Sequence, residues 1–250
     1  MIDTHAHLDA LDGDAPAALA RARAAGVGRV IAVGSGIASC REALALAEQE
    51  EGVFAALGLH PHQADEVGAD DLAELAELIA HPKAVAVGEA GLDHYRDYAP
   101  RERQLKLFRA QAELAAQTGK PLVVHSRSAD AETEGVLRDL PAGARVVLHC
   151  FSSPGLLAPA LEQDWYVSFA GNVTYPNAGD LRTAATRIPA VRLLTETDSP
   201  YLAPQPVRGG RNEPANVVHT LAALAEARGV AAAELEAAID ENAAALFGLS

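Results

Sequence analysis

An alternation of two kinds of segment repeats along the 250-residue chain and constrains its fold more than any other feature. Short apolar runs rich in β-branched residues, such as Val85-Ala86-Val87, are typical of parallel strands that are covered on both faces. The longer alanine-rich runs between them carry apolar residues three and four positions apart, which indicates amphipathic helices. The predicted strands are Met1–His5, Arg29–Gly34, Val53–Leu59, Ala84–Glu89, Pro121–His125, Arg145–His149, Trp165–Ala170 and Val191–Thr195.

A helical run follows each predicted strand, and the tail from Ala231 to Leu249 predicts one or two further short helices. The predicted helices are Pro16–Ala25, Ser39–Glu51, Asp70–His81, Arg101–Thr118, Asp130–Leu140, Leu156–Gln163, Asn177–Arg187 and Pro214–Arg228. Repeated strand–helix units predict an α/β fold of the (β/α)8 TIM-barrel type, as a single domain over residues 1–250. An open doubly wound sheet is the alternative, but no glycine-rich phosphate-binding fingerprint follows the first predicted strand.

Composition excludes several classes of protein. The net charge of −14 argues against nonspecific binding of nucleic acid by a basic surface. No apolar run approaches the roughly 18 residues that a membrane span needs. The two cysteines, Cys40 and Cys150, argue against a disulfide scaffold and fit a reducing compartment. Because Met1 and Ile2 lead directly into the first strand without a targeting pattern, we predict a cytoplasmic protein with no membrane partner.

Histidines and acidic residues lie where the predicted strands end. His5-Ala6-His7 closes the first predicted strand, and His60-Pro61-His62 follows the third. In a barrel the carboxyl ends of the strands meet at one mouth, where barrel enzymes keep their sites. The candidate metal ligands at these positions are His5, His7, Glu89, His125, His149 and Asp198. The remaining histidines, His81, His94 and His219, are interpreted as structural residues.

The His-X-His pattern at the first strand end predicts a metal site. The period of two along a strand puts both imidazoles on one face, and imidazole nitrogens suit zinc and related divalent ions. Six candidate ligands exceed the need of one tetrahedral ion, so we predict two divalent ions, with Mg²⁺, Mn²⁺ and Zn²⁺ all open. The predicted assignment gives Glu89 as the bridging ligand, His5 and His7 to one ion, and His125 and His149 to the other.

Asp198 is predicted to lie beside the first ion, where its carboxylate can bind the ion and accept a proton from water. Paired ions lower the pKa of water and stabilise the leaving oxygen of a displacement. The residues therefore predict metal-assisted hydrolysis, with Asp198 and Glu89 as the catalytic carboxylates.

A set of ordered motifs extends along nearly the whole chain. In chain order the motifs are Asp3-Thr4-His5-Ala6-His7-Leu8-Asp9, Gly58-Leu59-His60-Pro61-His62, Gly88-Glu89-Ala90-Gly91-Leu92-Asp93, Val124-His125-Ser126-Arg127, Leu148-His149-Cys150-Phe151-Ser152, Thr195-Glu196-Thr197-Asp198-Ser199-Pro200-Tyr201-Leu202-Ala203-Pro204, Arg208-Gly209 and Arg211-Asn212-Glu213-Pro214. The chain thereby resembles the TatD family of metal-dependent deoxyribonucleases, within the amidohydrolase-like barrels. The resemblance implies hydrolysis of phosphodiester bonds, usually of DNA and often from the 3′ end, and the ligand roles given above.

Candidate substrate contacts lie beside these ligands. Arg127 and Arg211 are predicted to bind phosphate, because guanidinium groups match phosphate oxygens. His62 and Tyr201 are candidate contacts to a phosphate or a nucleoside, with a packed loop anchor as the alternative for Tyr201. A barrel mouth admits a terminus more easily than a duplex, so the expected partner is single-stranded DNA or a frayed 3′ end.

Two other functions stay open. One is a barrel hydrolase of amide or ester bonds, such as an aminoacyl-tRNA deacylase. Many amidohydrolases bridge two ions with a carboxylated lysine, but none of the three lysines lies at the carboxyl end of a predicted strand: Lys83, Lys106 and Lys120. The other is a catalytically silent repair scaffold that binds nucleic acid, and the complete ligand set argues against it.

Overall fold

The computed structural model describes residues 1–11, 14–96 and 98–249. Its strands, in chain order, are β1 (Ile2–Ala6), β2 (Arg29–Gly34), β3 (Val53–Leu57), β4 (Ala84–Asp93), β5 (Leu122–Arg127), β6 (Val146–Leu148), β7 (Tyr166–Phe169) and β8 (Leu193–Thr195). These described strands form one eight-stranded sheet in the order β1 to β8. Pairing is parallel, as between β1 and β2, β4 and β5, and β7 and β8. The predicted α/β fold of the (β/α)8 TIM-barrel type is confirmed.

Helices alternate with the strands, and their bounds are α1 (Ala15–Ala24), α2 (Ile37–Gln49), α3 (Ala69–Ile79), α4 (Arg101–Thr118), α5 (Asp130–Arg138), α6 (Leu157–Glu162), α7 (Gly179–Arg187), α8 (Val217–Arg228) and α9 (Ala232–Phe247). The tail forms the single helix α9. The helix predicted from Pro214 begins only at Val217, because Pro214–Asn216 forms a 3-10 turn in front of it. The loop after β8 contains one short 3-10 helix, Gln205–Val207.

The largest error in the predicted strand bounds concerns β4. The sequence predicts that this strand ends at Glu89. The strand instead continues to Asp93, since Gly91 pairs with His125 and Asp93 pairs with Arg127 on β5. Pairing with a neighbouring strand, rather than apolar character, extends β4 over these residues.

The chain divides into two compact units, and the first comprises Met1–Ala32, His149–Phe151 and Tyr166–Ser250. Helix α9 packs on β1 and β8 in this unit, and α8 also packs on β8. The core is apolar, with Ile2, Phe169, Leu194, Leu224 and Ile239 almost fully buried. A parallel bridge between Ala6 and Ser199 joins the end of β1 to the segment that follows β8.

The second unit comprises Val33–Leu148 and Ser152–Trp165. Helix α4 packs on β4 and helix α2 on β3, around fully buried residues such as Leu57 and Phe108. Gly91 adopts φ +150°, and a Cβ atom there would lie 1.9 Å from the carbonyl oxygen of His125. A glycine is therefore required for β4 and β5 to approach this closely.

Among the described residues, every helix is too short or too polar to span a bilayer. The single domain over residues 1–250 stays a prediction.

Candidate functional site

The first unit contains a group of side chains that we call the Asp198 cluster: His5, His7, His149 and Asp198. Backbone pairing brings them together, because Asp198 N donates to the carbonyl of His5 at 2.9 Å and His7 N donates to that of Ser199 at 2.8 Å. The strand period of two places the rings of His5 and His7 side by side, with their Nε2 atoms 3.3 Å apart. Asp198 Oδ1 lies 3.5 Å from His7 Nε2 and 3.9 Å from His5 Nε2.

Asp198 is an ionised carboxylate in this cluster. Burial alone would raise its pKa, but the hydrogen bond from His7 and the neighbouring imidazoles of His149 and His5 outweigh burial and lower it. An ionised carboxylate beside two imidazole nitrogens can bind a cation, and it can accept a proton from water.

His149 is oriented by Glu196. The His149 ring stacks on His5 with centroids 4.0 Å apart, and its Nδ1 lies 3.2 Å from Glu196 Oε1. The same oxygen accepts a hydrogen bond from Cys150 N at 2.7 Å. A proton on Nδ1 leaves the lone pair on Nε2 for a metal ion, as is usual for metal-binding histidines. Glu196 thus supports the orientation of His149.

A second layer of polar residues fixes the Asp198 segment. Asp3 Oδ1 accepts from Thr197 N at 2.8 Å, and Asp3 Oδ2 lies 2.6 Å from Thr197 Oγ1. Asn212 Nδ2 donates to the carbonyls of Thr197 and Tyr201 at 2.9 and 2.6 Å. Burial raises the pKa of Asp3 to about 8. We did not predict the roles of Asp3 and Asn212, although both lie inside quoted motifs.

The second unit contains the Glu89 cluster: His60, His62, Glu89, Asp93 and His125. Glu89 Oε1 lies 2.7 Å from His125 Nδ1 and 3.4 Å from His60 Nε2. Asp93 Oδ2 lies 2.8 Å from His62 Nε2 and 3.4 Å from His125 Nε2. The two carboxylates and His125 come from the adjacent strands β4 and β5, and the other histidines follow β3.

Within this cluster, the hydrogen bonds of His60 define the state of its ring. His60 Nδ1 accepts a hydrogen bond from His62 N at 3.2 Å, so the proton of the neutral ring lies on Nε2 and faces Glu89. Burial lowers the pKa of His60 to about 4, which keeps the ring neutral near pH 7. His60 therefore presents its Nε2 proton to Glu89 and orients this carboxylate.

Asp93 was not predicted from the sequence as a functional residue. Burial would raise its pKa, but hydrogen bonds from His125, from the backbone of Arg96 and from His62 outweigh burial and lower it. One signal for Asp93 was available: it lies four residues after Glu89, on the same face of a continuous strand. Because β4 was predicted to end at Glu89, Asp93 was not placed on the same strand face.

The predicted substrate contacts divide between the two units. His62 and Arg127 belong to the second unit, where His62 contacts Asp93 and the exposed Arg127 lies over the ring of Tyr95 at 4.0 Å. Tyr201 and Arg211 belong to the first, where the Tyr201 ring lies edge-on to His7 at 5.8 Å and Arg211 donates to the carbonyl of Ala10. Phe151 is buried against Phe169, as a core residue would be.

The chemistry of the donor atoms fits divalent metal ions in both clusters. Imidazole nitrogens with carboxylate oxygens are the ligands of Zn²⁺ and of similar first-row ions, and carboxylates also suit Mg²⁺ and Mn²⁺. The bridging role of Glu89 and the number of ions stay predictions.

Comparison with known proteins gives consistent results. The family model described as TatD related DNase matches residues 2–248. The uncharacterized metal-dependent hydrolase YabD of Bacillus subtilis is 37% identical over 254 residues, which cover 100% of both chains. The 3′-5′ ssDNA/RNA exonuclease TatD of Pantoea vagans is 38% identical, with 92% of each chain covered. The solved structure of YJJV, a TatD homolog of Escherichia coli K12, has a TM-score of 0.92 at 34% identity and covers 100% of this chain and 98% of its own.

Proposed function

Because the chain belongs to the TatD family of DNase-related proteins and is a metal-dependent hydrolase of ester bonds, we propose that it removes nucleotides from the 3′ end of DNA. The proposed substrate is a single strand or a frayed end, and the proposed cofactors are two divalent ions. The name of the Pantoea vagans relative, a 3′-5′ ssDNA/RNA exonuclease, supports both the polarity and the single-stranded substrate.

The observation that carries the proposal is the placement of Asp198 against two histidines. His5, His7 and Asp198 would hold one ion, and Glu89 and His125 would supply ligands for a second. A bound divalent ion supplies a more acidic water and offsets the negative charge that develops on the phosphoryl group. Asp198 Oδ1, kept ionised by the imidazoles around it, accepts the proton of the attacking water.

The charge of the protein supports an unpaired substrate. The net charge of −14 argues against nonspecific binding of a duplex by a basic surface, so the proposed binding depends on a few local cations such as Arg127 and Arg211. A single strand presents its phosphates to isolated cations more readily than a duplex does. We also propose a cytoplasmic location, because a chain with two cysteines fits a reducing compartment.

The test is hydrolysis of oligonucleotides labelled at either end. We expect a single strand labelled at its 5′ end to give a ladder that shortens from the 3′ end, and a blunt duplex to be cut more slowly. A chelator should stop the reaction, and Mn²⁺, Mg²⁺ or Zn²⁺ added back should restore it. Single-stranded RNA of the same sequence is tested beside the DNA.

Two controls make this experiment specific. A strand with a blocked 3′ end should resist hydrolysis, and removal from the 5′ end would contradict the proposed polarity. An aminoacyl ester is the competing substrate. Rapid metal-dependent turnover of the ester without any nucleotide release would replace the proposed function with the ester-hydrolase alternative.

A further inference from the structure

A pair of tyrosines lies unusually exposed beside the Glu89 cluster. Tyr95 and Tyr98 are 62% and 61% accessible, in a chain that holds five tyrosines in all. Both lie in the segment that follows β4, within five residues of Asp93. Large aromatic rings are usually at least half buried in a folded protein, so two exposed rings in one short segment indicate a binding surface.

Tyr95, Arg96 and Tyr98 contact residues of the Glu89 cluster. Asp93 Oδ1 accepts hydrogen bonds from Tyr95 N and Arg96 N at 3.0 and 2.9 Å, while Asp93 Oδ2 contacts His62 and His125. The ring of Tyr98 lies edge-on to His62, with centroids 4.8 Å apart and an interplanar angle of 87°. The Asp93 carboxylate therefore fixes the backbone of Tyr95 and Arg96 relative to His62 and His125.

Two arginines accompany the exposed rings. The guanidinium of Arg127 lies 4.0 Å from the centroid of Tyr95, and that of Arg96 lies 5.7 Å from Tyr95 and 6.0 Å from Tyr98. Both arginines are exposed, and neither forms an ion pair with a carboxylate of the described residues. Exposed cations interleaved with aromatic rings, in a protein of net charge −14, are complementary to a polyanion that carries flat bases.

We infer that Tyr95 and Tyr98 stack on unpaired bases of the substrate strand, while Arg96 and Arg127 bind its phosphates. This inference rests on the proposed function and adds a substrate-positioning surface to it. Stacking on an aromatic face needs a base that has left its duplex, and it tolerates any of the four bases. The surface therefore selects unpaired nucleotides without selecting a sequence. It explains how a strongly acidic protein holds a single strand.

The test is a thermodynamic cycle between the tyrosines and the bases. The metal-loaded full-length protein and its double variant Tyr95→Ala/Tyr98→Ala are compared on two single strands. One carries ordinary bases near the 3′ end, and the other carries abasic residues there, moved one position at a time. We expect the double variant to raise KM on the base-bearing strand by about 5- to 160-fold for each stacking contact that it removes. On the abasic strand the same substitutions should have little effect, because the interaction is already missing.

A spectroscopic readout separates stacking from a general loss of structure. A strand with 2-aminopurine near its 3′ end should lose fluorescence on rapid mixing with the protein, before hydrolysis begins. Tyr95→Phe/Tyr98→Phe should retain that quenching, and Tyr95→Ala/Tyr98→Ala should lose it. The matched control is Tyr166→Ala, since Tyr166 also has an arginine over its ring, Arg192 at 4.8 Å, but lies at the start of β7. This control should retain both the quenching and the KM of the unsubstituted protein.

The outcomes distinguish this inference from the proposed function. An equal rise in KM on the base-bearing and abasic strands, with quenching unchanged, overturns the stacking role and leaves the nuclease assignment intact. An unsubstituted protein that neither binds nor hydrolyses any oligonucleotide overturns the proposed function, and the stacking role with it.

Discussion

Replacing Asp198 with asparagine separates proton transfer from metal binding. Asparagine keeps the shape of the side chain and an oxygen at the Oδ1 position, but it cannot accept a proton. The backbone contacts of this segment do not use the carboxylate: Asp198 N donates to His5, and Asn212 holds the carbonyl of Thr197. The segment should therefore keep its place in the Asp198→Asn variant, and His5 and His7 should remain available as ligands.

The expected loss follows from the role of the carboxylate. Removing a general base lowers a rate by about 10²- to 10⁴-fold, or about 3–5 kcal/mol of transition-state stabilisation. We expect the loss in kcat, because Asp198 Oδ1 faces the histidine nitrogens, 3.5 and 3.9 Å away, rather than a substrate-binding side chain. The variant should retain at least one metal ion and its affinity for an oligonucleotide.

Steady-state hydrolysis and metal content are measured on the same sample, beside Asp180→Asn as a control. Asp180 is an exposed carboxylate in the first turn of α7, so its replacement should leave kcat unchanged. If Asp198 served only to position the loop toward Arg211, its variant would show a raised KM with nearly normal kcat. That result would refute the general-base reasoning.

Three further predictions follow from the clusters and the strands beneath them. His5→Ala and Glu89→Ala should each abolish hydrolysis while the circular dichroism spectrum stays near normal. Under limiting metal, Glu89→Ala should lose more activity than His5→Ala. Near-normal turnover by either variant would contradict the ligand assignment. Gly91→Ala should destabilise the protein by at least about 2 kcal/mol in denaturant unfolding, because its Cβ would lie 1.9 Å from the His125 carbonyl at a φ of +150°. Asp3 should make the metal-free protein pH-sensitive. The pKa of Asp3 is about 8 in the folded protein and 3.8 in the unfolded chain. Its favourable contribution to the free energy of unfolding is therefore complete below pH 3.8 and is lost as the pH rises to 8. Both proteins are measured in chelator, and the Tm of Asp3→Asn minus that of the unsubstituted protein should increase as the pH rises from 3.8 to 8. A difference that stays constant would show that Asp3 does not titrate in this range.

The strands were predictable where burial alone defines them. β2 and α4 have the predicted bounds, because an apolar run or an amphipathic period marks both ends. β4 was wrong at its carboxyl end, since the pairing of Asp93 with Arg127 depends on a neighbour that local sequence does not show. At the site, too, contacts between residues far apart in the sequence were not predicted. His-X-His signalled metal binding through residues two positions apart, whereas the contact of Asp3 with Thr197 joins residues 194 positions apart.

Residue types suggested the ligands, but their protonation states needed coordinates. The sequence places His60 and His125 at strand ends, and only His125 was predicted to bind a metal ion. Only the hydrogen bond from His62 N to His60 Nδ1 shows that His60 presents a proton, rather than a lone pair, to Glu89. The exposure of side chains also needed coordinates. No feature of the sequence distinguished Tyr95 and Tyr98 from aromatic residues of the core.

The bridge between Ala6 and Ser199 has a consequence for the newly made chain. His5 and His7 leave the ribosome well before the backbone that holds them in place, which lies nearly two hundred residues later in the chain. At about 5–20 residues per second, Thr197 is joined to the chain roughly 10–40 s after Asp3. During translation the two histidines thus exist without their carboxylate. The Asp198 cluster can form only once β8 and Asp198 have been made, so the growing polypeptide has an incomplete set of these metal-binding candidates until then.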